Sequence, residues 1–111
     1  MINRGVVVVY AREPFREWLQ SLPNPCHLTL EEINEDRTAY LIPEFEDEQE
    51  QEKALKKVYV TIFENELADW WTREDDWPRK RDLRTFRKWF EPRFHGIVED
   101  LVPGELVDDG E

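Results

Sequence analysis

One cysteine, two histidines and 26 acidic residues are the chain's raw material for chemistry. Cys26 and His27 are adjacent. Successive side chains of an extended segment point to opposite faces, so thiol and imidazole diverge and do not pair as nucleophile and base. His95 and Glu99 lie four apart and share a face, but a zinc site takes three or four protein ligands. Four glycines in the whole chain spell no phosphate-binding loop. Carboxylate pairs such as Glu31 and Glu32 are unavoidable at this acid content and carry no specificity. These residues imply no catalytic site, no metal and no cofactor, and the expectation leans away from an enzyme.

Two other features are chemically unusual. The first is Glu66. On a helical wheel with Leu55 at zero, Tyr59, Phe63 and Leu67 fall at about 40°, 80° and 120°, and Glu66 at about 20°, inside the apolar arc. A carboxylate there must be paired, protonated or open to a cleft, because an isolated buried charge costs too much. The expected partner is an arginine from the next helix, Arg84 or Arg87. The alternative is a pocket in which Glu66, Trp71 and Arg87 line one cleft for a small ligand or a substrate.

The second feature is charge segregation. Between Arg79 and Arg93 there are seven cations (Arg79, Lys80, Arg81, Arg84, Arg87, Lys88, Arg93) and two acids, Asp82 and Glu91. The segment is +5, and the remainder of the chain is −16, since −11 − 5 = −16. Arg84, Arg87 and Lys88 are expected on the helix face opposite Leu83, Phe86 and Phe90. That face is either neutralised by the acids of residues 44–52 or is an interaction surface.

The elements that must position these groups follow from periodicity. "GVVVVYA" (5–11) is a β-branched run without helical period, expected as a central strand buried on both faces. In "REPFREWLQSL", Pro14 suits a first helical turn, and Phe15, Trp18, Leu19 and Leu22 form one stripe. Thr29 to Glu32 spells a capping box. "TAYLIP" (38–43) is a second strand. Residues 46–72 carry the strongest helix signal, about 40 Å long at 1.5 Å per residue, with acidic first turns expected to overhang the core. Of the five tryptophans, Trp18 and Trp70 fall on inner stripes, Trp71 at a rim, and Trp77 in a loop as a lid. A helix with Asp82 as N-cap is expected to run to Pro92, followed by a strand over 93–101 with Gly96 at a bulge or close approach.

The combination "PFREWLQSLP", "YLIPEFEDEQE", "ADWWTREDDWP" and "FRKWFEPRFHGIVEDL" resembles a group of small acidic bacterial proteins. The resemblance implies a bacterial cytoplasmic setting and no particular activity. A net charge of −11 disfavours nucleic acid and anionic membranes overall. A lone cysteine permits no intramolecular disulfide, as suits a reducing compartment. The five-residue apolar run near the N-terminus is too short for a signal sequence or a span.

The expected fold is α+β: a small three-stranded sheet, mixed in direction, with about three main helices mainly on one face. One globular domain spans 1–102, and an acidic mobile tail spans 103–111. The leading functional expectation is a non-enzymatic cytoplasmic binding or adaptor protein. Its face would be Arg84, Arg87 and Lys88, and its partner an anionic protein or a second copy. The alternatives are the Glu66–Trp71–Arg87 cleft and a nucleic-acid-associated protein using residues 79–93.

Overall fold

The computed structural model describes residues 3–102; the segment expected as a tail lies outside them. The chain runs β1 (Gly5–Ala11), α1 (Glu13–Ser21), α2 (Leu30–Ile33), β2 (Ala39–Ile42), α3 (Glu48–Trp70), a 3-10 turn at Glu74–Asp76, α4 (Leu83–Trp89) and β3 (Phe90–His95). The three strands form one open sheet in the order β2-β1-β3. Three helices of seven residues or more accompany it, so the fold is α+β as expected. Both strand pairs are antiparallel rather than mixed.

The valine run is central, but only one of its faces is buried. Val7, Val9 and Ala11 are inaccessible or nearly so, while Val6, Val8 and Tyr10 are only partly covered. All the main helices lie on the odd-numbered side. A continuous apolar run reads the same whether one or two layers cover it, which is why the sequence suggested two.

The hydrogen-bond parity of β1 explains the rest of the sheet. Arg12 N donates to Trp89 O at 2.8 Å. Given the register Ala11↔Phe90, the even residues of β1 therefore bond to β3 and the odd ones face β2. β2 is short and stops opposite Val8. Beyond it, side chains replace the ladder. Arg37 Nε donates to Val9 O (2.9 Å), and the Asn34 amide bonds both Ala11 N (2.8 Å) and Ala11 O (3.1 Å).

β3 begins earlier than expected. Phe90 and Pro92 belong to it, and α4 ends at Trp89. Phe90 and Phe94 point inward and alternate with Glu91, Arg93 and His95 on the other face, a period of two that the aromatic spacing disguised as helix. Pro92 is tolerated because it stands at a position whose backbone faces the open edge, where no N–H is required.

The helices follow their sequence signals closely. Thr29 and Glu32 form the reciprocal capping box at α2, and Asp47 Oδ1 caps α3 by accepting from Glu50 N at 2.9 Å. α3 has 23 residues, about 34 Å at the standard rise. Its first buried residue is Ala54, so the acidic turns do overhang the core. Phe15, Phe63, Phe86 and Phe90 are fully buried and meet with ring centroids 5.2–5.9 Å apart in tilted and edge-on pairs. Trp70 is only half-buried, with its edge toward Phe15. At the sheet's end Phe45 lies against Gly5 so closely that a Cβ there would stand 2.3 Å from the ring. Among the described residues no helix is long and apolar enough to cross a membrane.

Phe63→Ala is expected to cost roughly 3–5 kcal/mol, the range for a fully buried aromatic. Trp70→Ala should fall toward the lower end of that range, because part of its larger ring stays exposed. Urea titration measures both. Equal losses for the two would mean that Trp70 carries more of the packing than its exposure allows.

Candidate functional site

Asp82 opens α4, its carboxylate accepting from Thr85 N at 2.8 Å. The hydrogen bonding from Thr85, with Lys80 and Arg84 adding to it, holds this carboxyl below its ordinary value. Phe86 anchors the helix, packed against Phe63 and Phe90. Arg84, Arg87 and Lys88 are all exposed, but they are not equivalent. At 100° per residue Arg87 falls about 40° from Leu83, at the border of the inner stripe rather than opposite it. It leans onto α3 and pairs with Glu52.

The acidic run therefore does neutralise part of the basic segment, at this one point. Arg81 pairs with Glu64 at 3.4 Å and covers the Trp77 ring. Arg93 pairs with Glu91 at 2.9 Å. Lys80 approaches Asp82 at only 3.9 Å. Arg79, Arg84 and Lys88 are exposed and make no ion pair among the described residues.

Glu66 is 2% exposed, as the wheel demanded, yet its partner is neither Arg84 nor Arg87. Arg37, itself 5% exposed, pairs with one carboxylate oxygen, and the Tyr40 hydroxyl donates to the other. Burial pushes the Glu66 carboxyl above its ordinary value, and the Tyr40 hydrogen bond and the Arg37 charge pull it part of the way back. Burial and the Glu66 carboxylate together push the Tyr40 hydroxyl well above the phenol range. Nothing in the sequence pointed to Arg37. It lies in a polar loop, "INEDR", and only the end of β2 swings it over α3.

The cleft of Glu66, Trp71 and Arg87 does not form. Arg87 is tied to Glu52, which lies fourteen residues before Glu66 on the same helix, about 21 Å along its axis. Trp71 belongs to a separate tryptophan cluster at the end of α3. Its Nε1 donates to Asp76 Oδ2 (2.9 Å), Trp18 Nε1 donates to Asp76 O (2.9 Å), and Trp77 Nε1 donates to Trp71 O (2.8 Å). Trp77 thus folds back as expected. A shallow hollow of about 340 Å³ lies beside this cluster, lined by Ala68, Asp69, Trp70, Trp71, Thr72 and Arg73. Its lining is one contiguous stretch of chain, residues 68–73.

Cys26 packs at the edge of the core, and His27 is exposed. No group of three or more potential metal ligands converges among the described residues.

Arg37→Met is expected to destabilise by roughly 3–5 kcal/mol at neutral pH, because it leaves Glu66 charged, buried and without its cation. The sign of the pH dependence follows from linkage. Without Arg37 the folded-state pKa of Glu66 rises further above its ordinary value of 4.5. The folded variant then binds a proton that the unfolded chain does not, and its stability recovers as pH falls from neutral toward that value. Denaturant titrations of both proteins across this range check it; a pH-independent gap would show that Glu66 is not the charge Arg37 neutralises.

No protein-family model, curated protein or solved structure matches the chain, so its chemistry has to be read from its own residues.

Proposed function

We propose that this protein is a non-enzymatic binding module whose basic surface, formed by Arg79, Lys80, Arg84 and Lys88, docks an anionic protein surface. The observation that carries this reading is the freedom of Arg84 and Lys88. In a chain of net charge −11, acids are plentiful enough to pair every cation, and Arg81, Arg87 and Arg93 are so paired. Arg84 and Lys88 are exposed, lie across α4 from Phe86, which packs on α3, and make no ion pair among the described residues.

An arginine fork suits a carboxylate as well as a phosphate. The surroundings favour the carboxylate. The acidic turns of α3 lie beside α4, joined through Arg87 and Glu52, and would repel a long polyphosphate that extended past the basic strip. A compact acidic epitope, including the acidic run of a second copy, meets no such penalty. The setting we infer is the bacterial cytoplasm.

The test compares wild type with the Arg84→Gln/Lys88→Gln variant, titrated with a polyglutamate peptide and with single-stranded DNA of equal charge. Polyglutamate binding is expected at low salt. It should weaken as ionic strength passes about 0.1 M, where screening reaches about 10 Å, and be lost in the variant. Equal binding by the variant overturns the reading. Tighter binding of the DNA would instead favour a nucleic-acid-associated protein.

A further inference from the structure

We propose that the open face of the sheet is a second docking surface, for an acidic amphipathic segment of a partner protein. Alternation places Val6, Val8 and Tyr10 along one side of β1, with Arg4 and Arg12 just beyond its two ends at positions of the same parity. Residues directly opposite in an antiparallel pair share a face. The register therefore adds Ala39 and Leu41 from β2, and Glu91, Arg93 and His95 from β3. Val6, Val8, Tyr10 and Leu41 neither belong to the core nor pack against it, and Leu41 is 53% exposed. The outcome is an apolar centre bounded by cations.

Charge complementarity identifies the occupant. Arg4 and Arg12 flank the face and Arg93 lies on it, 4.1 Å over the Tyr10 ring, against Glu91 as the acid that the paired registers place there. Glu91 is held below its ordinary value, first by its hydrogen bond from Arg93 and further by the nearby Arg12. A cationic face with apolar residues at its middle, on a strongly acidic protein, fits a segment that brings both carboxylates and aliphatic side chains.

Size argues for a short segment over a second copy. Three strands at about 4.8 Å spacing and a seven-residue central strand give a face of roughly 300 Å². A stable dimer buries about 800 Å² per partner. Addition at the β3 edge is disfavoured too, because Pro92 has no N–H to offer there and Phe90 N already bonds Phe86 O.

The probe is a labelled eight-residue peptide alternating leucine and glutamate, with a leucine–lysine peptide as control. Binding is followed by anisotropy and mapped by backbone amide shifts. The acidic peptide is expected to move the amides of Val6, Val8, Tyr10 and Leu41, and to persist above about 0.1 M salt, since apolar contact is not screened. Leu41→Gln and Arg4→Gln/Arg12→Gln should each weaken it about tenfold while keeping a native spectrum. Above about 0.1 M salt, where the α4 strip is screened, Arg84→Gln/Lys88→Gln should leave the shifts of the sheet amides unchanged, which separates this surface from the α4 strip. Any of the following overturns the proposal: shifts confined to α4, equal binding of the lysine peptide, unchanged affinity in both sheet variants, stronger perturbation of the same amides by single-stranded DNA, or a dimer that occupies the face without peptide.

Discussion

Arg37 joins the two layers of this protein through a single guanidinium. Its Nε completes the edge of β1 at Val9 O, where β2 has already stopped, and one of its terminal nitrogens neutralises Glu66 on α3. Each contact requires the other. A cation drawn into the interior needs a counter-charge, and a carboxylate on the inner stripe of a helix needs a cation. Tyr40, the next inward residue of β2 beside this site, satisfies the second carboxylate oxygen. Among the described residues no buried side-chain nitrogen or oxygen is left without a partner. The position of α3 on the sheet is thereby fixed by a polar contact as well as by packing.

Around that contact the core is aromatic. Phe63 meets Phe86, Trp89 and Phe90, so one residue of α3 touches both α4 and the start of β3. Phe15 brings α1 to the same cluster through Phe90 and Trp89. Large rings at this density allow a chain of modest length to cover one sheet face completely with few helical turns. They also leave the other face bare, since every main helix is engaged on the same side.

The free cations of α4 follow from where the acids of α3 can reach. The acidic turns of α3 reach α4 at one edge, through Glu52. Arg87 shows what happens where an acidic turn does come close: it is captured by Glu52. Arg84 and Lys88, one step further around α4, are not. The distinction between a neutralised cation and an available one is a matter of about 60° of helix rotation for Arg84 and about 100° for Lys88.

Periodicity alone determined most of the elements and the composition of the core. The stripe of α1, the capping box of α2, the burial of Glu66 and the overhang of α3 were all legible because each depends on residues close together in sequence. The boundary between α4 and β3 was not, since Phe86, Phe90 and Phe94 at intervals of four satisfy a helical and an extended period alike. The partner of Glu66 was hidden for a different reason. Any of fifteen cations meets the chemical demand, and only the antiparallel register of β2 carries Arg37 across to it. The Glu66–Trp71–Arg87 cleft failed on distance along a rigid helix, which sequence proximity of the elements does not reveal. Whether the valines of β1 were covered once or twice was likewise decided by how many layers the chain could build, and it built one.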